Sequence, residues 1–547
     1  MLRGMMMDRP LLISSIIDYA GEIHQKAEIV SVTTEGGVHR YTYADARSRI
    51  AQLAHALREM GVKPGDRVAT LAWNGYRHFE LYYAISGIGA VCHTINPRLF
   101  PDQLIYVVNH AEDVALFFDI TFAPLVAKMR PHFPTRLAYV VMTDRAHVPE
   151  QDGLQGLLSY DELIAGKPET IAWPDLDENT AAGLCYTSGT TGEPKGVLYS
   201  HRSNLLHAFS AVVCAKGRFG VGRKILPVVP LFHVNAWGLP YSAPLTGTSL
   251  IFPGAKLDGA NLFELMDRER VQDAWGVPTV WLGLLAEMKA RGRKPEGFEH
   301  LLVGGSAAPR SMIETFERDY GVSVLHGWGM TEMSPVGTVG ALEPEMEALP
   351  LEERIDIKTR QGRRIFNVEM KIVDETGARL PHDGVAVGEL FVRGPFIAAG
   401  YYNNEAATRK AIDAEGWLAT GDIAKITPDG FLQIVDRAKD LIKSGGEWIS
   451  SIALENTAMS HPGIAQCAVI GVPHPKWDER PILVAVKAPG ADPSKEDILR
   501  FMAERVAKWQ VPDDVLFMDS LPLTATGKVS KRQLRNLLKD YVAASAA

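Results

Sequence analysis

Residues 186–202 read YTSGTTGEPKGVLYSHR. Hydroxyls at Thr187, Ser188, Thr190 and Thr191 alternate with Gly189 and Gly192, and Lys195 follows in the same run. Glycine lets successive backbone N–H groups turn toward an anion, because no Cβ blocks the torsions this needs. Hydroxyls add rotatable donors, and lysine adds a mobile positive charge. Such a loop suits a polyphosphate. It is not a Walker A loop, which needs lysine directly after its second glycine and then Ser or Thr; here Lys195 comes three residues after Gly192. A Ser/Thr/Gly interdomain linker has a similar composition, but the apolar run 181–185 places a strand immediately before the loop.

Working outward from that strand and loop, the chain alternates. Thr42 is placed to cap a helix whose apolar positions Ile50, Leu53, Ala54, Leu57 and Met60 fall at helical spacing, and Gly61 ends it. Strands are predicted at 68–73 and 91–95, with a helix at 79–90 between them. Downstream, strands at 224–230, 249–252, 301–303 and 322–325 alternate with helices at 262–269 and 279–290. Such alternation predicts parallel sheets with crossover helices. Strands that end at Gly304-Gly305 and His326-Gly327 suit a ligand lying over their carboxyl ends. Between about 360 and 435 the character changes: 368–374, 388–393, 423–426 and 431–435 are short strands between Gly, Pro and Asp turns, which predicts a small antiparallel subdomain. Residues 438–547 carry helix-and-strand units such as 451–459 and 464–470. The expected fold class is α/β, with a large N-terminal domain over 1–437, built of parallel-sheet αβ subdomains plus a small β subdomain, and a C-terminal α+β domain over 438–547.

A chain of 547 residues exceeds one hydrophobic core. Its 65 acidic and 57 basic residues leave a net charge of −8, which argues against a nucleic-acid surface. No run of eighteen apolar residues suggests a membrane-spanning helix. The start, MLRGMMMDRPLLISS, does not read as a signal peptide, because Asp8, Arg9 and Pro10 interrupt its apolar stretch. Cys92, Cys185, Cys214 and Cys467 are widely spaced without a CxxC pair. They suggest neither a metal framework nor a disulfide scaffold, and fit small core residues in a reducing cytoplasm.

The stretch 186–202 resembles the phosphate-binding loop of the acyl-adenylate-forming enzymes, the family of acyl-CoA synthetases, luciferases and peptide-synthetase adenylation domains. Further motifs of that family stand in order over roughly 40–540. The resemblance implies ATP, Mg²⁺ and coenzyme A. In Gly327-Trp328-Gly329-Met330-Thr331-Glu332 it implies that Glu332, with Thr187, holds Mg²⁺, that Thr331 touches the α-phosphate and that Trp328 can stack on adenine. A hard cation wants oxygen ligands and keeps several waters, so one carboxylate plus phosphates suffices. Gly304, Gly305, Ser306 and Ala307 would line the adenine pocket and the acyl site, with His326 beside them. Asp422 of Thr420-Gly421-Asp422 would accept the ribose diol, and Arg437 would reach ribose or phosphate. Lys439 matches the family's hinge, about which a mobile C-terminal domain rotates; Gly445, Gly446, Glu447 and Trp448 would then line the pantetheine tunnel. Lys528, in LPLTATGK at 521–528, matches the catalytic lysine, although Leu523 stands where relatives often carry a basic residue. His233 matches the carboxylate end of the acyl pocket, with Val234, Asn235 and Trp237 beside it; in the fatty-acid branch a tryptophan at this place gates the acyl channel.

The implied reaction has two steps. A carboxylate attacks the α-phosphorus of ATP and releases pyrophosphate, with positive charge offsetting the repulsion between anions. The C-terminal domain then turns, and coenzyme A takes the acyl group and releases AMP. The chain resembles medium- and long-chain fatty-acyl-CoA synthetases as well as 3-methylmercaptopropionate-CoA ligases. A short or medium acid is expected, 3-methylmercaptopropionate first. Transfer to a carrier protein, a luciferase-like oxygenase and a non-catalytic nucleotide-binding scaffold are the rival readings. A homodimer is expected from relatives.

Overall fold

The computed structural model describes residues 1–150, 152–187, 193–524, 528–539 and 541. Ser188, Gly189, Thr190 and Thr191 therefore lie outside the described residues.

The first sheet has seven strands, in the order Leu158–Ser159, Ala138–Val141, Ala115–Phe118, Arg67–Leu71, Val91–Thr94, Ala181–Tyr186, Gly196–Ser200. Its pairs are parallel except the last, in which Ala181–Tyr186 runs antiparallel to Gly196–Ser200. The expected capping residue is in place: Thr42 accepts from the Asp45 N–H and Asp45 accepts from the Thr42 N–H, and helix Tyr43–Glu59 follows. Helix Tyr76–Gly87 is buried at every residue. An all-round buried helix needs apolar or satisfied neighbours on every side. Tyr82 and Tyr83 meet that need by donating to the carbonyls of Leu231 and Pro240.

The second sheet is a continuous path of thirteen strands, from Glu369–Val373 at one edge to Val38–Thr42 at the other. The small antiparallel part expected as a separate subdomain is joined to the parallel part through one strand, Ser323–Gly329. That strand pairs in parallel with His300–Val303 and then antiparallel with Val336–Val339. It runs past the expected end at Leu325 because its glycines permit close approach. A Cβ at Gly329 would lie 2.1 Å from the Pro335 carbonyl oxygen, and one at Gly327 would lie 3.1 Å from that of Thr338. The other edge is closed by the antiparallel pair Glu28–Val32 and Val38–Thr42, which the sequence pattern did not reveal.

The last sheet has five strands, with Asp478–Lys487 between Ile464–His474 and Ile442–Ser444 and also parallel to Asp514–Phe517. Helices Ser451–Met459 and Lys495–Ala503 cover it with a core of their own that includes Leu454, Val469, Leu483, Ile498 and Met502. Among the described residues no helix is long and apolar enough to cross a membrane.

Candidate active site

The antiparallel pair Ala181–Tyr186 and Gly196–Ser200 brings the two ends of the phosphate-loop motif together. The Thr187 N–H donates to the Lys195 carbonyl at 2.9 Å, and the Lys195 N–H donates to Thr187 Oγ1 at 3.2 Å. Lys195 Nζ sits 4.8 Å from the centre of the Tyr401 ring. The Tyr401 hydroxyl donates to Glu332 Oε1 at 2.7 Å, so this tyrosine joins the loop lysine to the carboxylate. Glu332 is held again through its backbone, whose carbonyl accepts from the Ala398 N–H at 2.7 Å. Tyr199 does the same for Thr331, donating to its carbonyl at 2.7 Å.

Asp422 is 2% exposed and binds two partners from different strands. Trp328 Nε1 donates to its Oδ2 at 2.9 Å, and Arg437 Nε reaches its Oδ1 at 2.7 Å. Burial raises the Asp422 carboxyl above its ordinary value, with Arg437 opposing. The Trp328 indole is itself buried and packs on Gly337, where a Cβ would lie 2.9 Å from the ring. Its N–H is satisfied by Asp422, which fixes the plane of the ring. His326 donates from one ring nitrogen to the Thr359 carbonyl and accepts the Ala308 N–H at the other. Burial pulls its pKa to about 4, so it stays neutral. It thereby ties the segment holding Gly305, Ser306 and Ala307 to the strand that carries Gly327.

Lys528 comes from the far end of the chain to this group. A Cβ on Gly305 would lie 3.3 Å from Lys528 Cε and 3.8 Å from Nζ. Gly305 has φ +85°, in the region that favours glycine. Burial, with Arg437 and Lys439 as like charges, pulls the Lys528 pKa down to about 8, and Asp422 acts the other way. Burial also pulls His233 to about 3, with Lys528 and Arg98 adding to the effect.

After His233 the chain makes a left-handed turn over Val234–Gly238, with φ of +47°, +55°, +44°, +57° and +81°. Asn235 Oδ1 lies 3.2 Å from the Tyr82 hydroxyl, whose one hydrogen is shared between it and the nearer Leu231 carbonyl. The turn presses the Trp237 indole onto Gly304, where a Cβ would lie 2.9 Å from the ring. Gly238 is similarly required, because a Cβ there would lie 2.8 Å from His207 Nδ1.

The group Gly445, Gly446, Glu447 and Trp448 is not drawn into this assembly. Gly445 and Gly446 turn the chain between strands Ile442–Ser444 and Glu447–Ile449, the second of which carries Glu447 and Trp448, and the Gly445 N–H donates to the Trp477 carbonyl. Trp448 is 49% exposed and Trp477 41%. Lys439 is also exposed. Tyr401 and Tyr199 were not singled out from the sequence; each acts on a residue far away in the chain, so local pattern gives no sign of it.

Comparison with known proteins gives a consistent result. The model of the AMP-binding enzyme family matches residues 20–402, and that of the AMP-binding enzyme C-terminal domain matches 453–528. The chain is 52% identical over 540 residues to a 3-methylmercaptopropionyl-CoA ligase of Ruegeria lacuscaerulensis, covering 98% of this chain and 99% of the relative. It is 46% identical to a medium-chain-fatty-acid–CoA ligase of Ectopseudomonas oleovorans, covering 100% and 99%. The crystal structure of an anthranilate CoA ligase in complex with anthranoyl-AMP superposes with a TM-score of 0.85 at 26% identity, covering 97% and 98%.

Proposed function

This chain belongs to the AMP-binding enzyme family and is an acid–CoA ligase working through an acyl-adenylate, and on that premise we propose that it activates a short or medium acid, 3-methylmercaptopropionate first. The observation that carries the proposed chemistry is the arrival of Lys528 at Gly305, beside Asp422 and Arg437. In the first step ATP lies over Gly304–Gly305 and Gly327, with Asp422 and Arg437 on its ribose and Thr187, Lys195 and Thr331 on its phosphates. Lys528 places its cation where the entering carboxylate and the α-phosphate meet, lowering the repulsion between them. The carboxylate oxygen bonds to phosphorus, and pyrophosphate leaves.

Among the described residues no three His, Cys, Asp or Glu side chains gather into a metal cluster. The buried Glu332 carboxylate and the Thr187 hydroxyl nevertheless fit Mg²⁺, which takes few protein ligands when phosphates and water supply the rest. When bound there, it would neutralise charge on the departing pyrophosphate.

In the second step the C-terminal domain, 438–547, turns about Lys439. Lys528 is withdrawn, and Gly445–Trp448 lines the path of the coenzyme A thiol. Its sulfur attacks the acyl carbonyl, the thiol proton is lost and AMP leaves. The glycines and exposed tryptophan of that turn support this role. His233, Val234, Asn235 and Trp237 surround the acid. The indole seated on Gly304 supports a short occupant, as does the name of the 52% identical relative. A medium-chain acid is the second reading, favoured by the 46% identical relative. A homodimer in the cytoplasm completes the proposal, and the unpaired cysteines support that compartment.

Coenzyme-A-dependent AMP formation, measured over acetate, butyrate, 3-methylmercaptopropionate, octanoate, palmitate and benzoate, tests the substrate. A peak in kcat/KM at 3-methylmercaptopropionate is expected; a peak at octanoate or palmitate overturns the short-acid reading.

A further inference from the structure

Asp436 lies near the end of strand Phe431–Arg437, ahead of Lys439, and is 1% exposed. Its Oδ2 accepts two hydrogen bonds from Ser451, at 2.6 Å from the backbone N–H and 2.7 Å from the hydroxyl. Its Oδ1 accepts the Arg437 N–H at 2.8 Å. Ser451 opens helix Ser451–Met459 of the C-terminal part. The Ser451 hydroxyl in turn accepts from Lys531 Nζ, which also pairs with Glu455 at 2.7 Å. Beside this group the Ser450 hydroxyl donates to the Val435 carbonyl at 2.6 Å. Lys531 stands three residues after Lys528. A single set of buried bonds therefore runs from the thirteen-stranded sheet, through Asp436 and Ser451, to the segment that presents Lys528 at Gly305.

We propose that Asp436 is a positioning residue for adenylation. Its carboxylate latches the C-terminal domain in the pose that places Lys528 at the reacting atoms. The inference rests on the two-step reading above. A turn about Lys439 leaves Val435 and Asp436 with their sheet and carries Ser450, Ser451 and Lys531 away together, so the bonds from Ser451 to Asp436 and from Ser450 to Val435 belong to one pose alone. Hydrogen bonds to an ionised acceptor are the strong ones, and a carboxylate this buried depends on them. The latch favours the first half-reaction and is neutral or unfavourable toward the second.

Asp436→Ala and Ser451→Ala are each measured in two half-reactions. The first is acid-dependent exchange of pyrophosphate into ATP, and the second is transfer from chemically prepared acyl-adenylate to coenzyme A. Asp436→Ala is expected to slow exchange about tenfold or more while transfer stays at the native rate or rises. Ser451→Ala, which keeps the backbone donor, shows the same split at smaller size and guards against misfolding of the first variant. Equal loss in both half-reactions for both variants overturns the latch, as does native exchange in both. The unsubstituted protein is run alongside: absence of exchange there overturns the proposed acid, whereas absence of the split overturns the latch alone.

Discussion

The assignment of Lys528 yields a pH prediction with a definite sign. The group stands against Gly305 with its pKa lowered from 10.5 to about 8 by burial and by Arg437 and Lys439. At about 1.36 kcal/mol per tenfold, that gap corresponds to roughly 3 kcal/mol against the buried cation before ATP arrives. The phosphates of ATP offset this cost by restoring opposite charge. In the proposed role the cation is the working form; it dominates below the pKa and is lost above it. In free enzyme, kcat/KM for ATP in pyrophosphate exchange should be level near about pH 7 and fall about tenfold per pH unit above about 8. The limb in kcat should lie higher, because bound triphosphate favours the cation. Lys528→Ala should cost about 10²–10³ in exchange, the scale for one preorganised group aimed at developing charge. It should also abolish the alkaline limb, while transfer from supplied acyl-adenylate stays within a few-fold. Equal loss in both half-reactions, or an unchanged limb in the variant, refutes the reasoning.

Three further outcomes follow from the same geometry. Glu332→Gln keeps an acceptor for Tyr401 but loses the charge, so half-saturation by Mg²⁺ should rise at least tenfold with the thermal midpoint unchanged; Mn²⁺ binding followed by electron paramagnetic resonance checks the affinity directly. Trp237→Ala removes the indole from Gly304; at about 0.8 kcal/mol per buried methylene, kcat/KM for octanoate over butyrate should rise tenfold or more, and an unchanged ratio rules out Trp237 as the limit on length. Glu80 is fully buried and binds Arg49 at 2.7 Å and the Tyr160 hydroxyl at 2.6 Å. Glu80→Ala leaves Arg49 with Asp161 alone, at 3.2 Å, and takes the acceptor from the buried Tyr160 hydroxyl; it should destabilise by about 2–3 kcal/mol, read from urea unfolding, and a change under about 0.5 kcal/mol refutes it.

The parts of the fold that follow local rules were legible. The Thr42 cap, the alternation of strands and helices, and the glycine that follows the strand ending at Val303 are all short-range features. Strand pairing between remote segments was not. Glu28–Val32 lies beside Ser249–Phe252 in parallel register, which nothing within either stretch announces. The continuity of the thirteen-stranded sheet depends on Gly327 and Gly329 approaching the carbonyls of Thr338 and Pro335, again a tertiary matter. In the candidate site, the motifs pick out residues but not what supports them. Trp328 was read for its ring; burial also obliges its N–H to find an acceptor, and Asp422, far away in the chain, is that acceptor. The turn after His233 gave no warning, since Val234, Asn235, Ala236 and Trp237 include no glycine.

That turn has a consequence for how the pocket can evolve. Each non-glycine residue held left-handed lies about 1–2 kcal/mol above its preferred state, and here they occur in series. The wall is prestressed, standing because Tyr82 grips Asn235 and His207 crowds Gly238. Loosening either support lets the backbone relax and carries Trp237 with it. On the proposed role of Trp237, substrate range can thus drift through residues that never meet the acid. Exchanging pocket-lining side chains alone leaves the prestress, and the shape it imposes, in place.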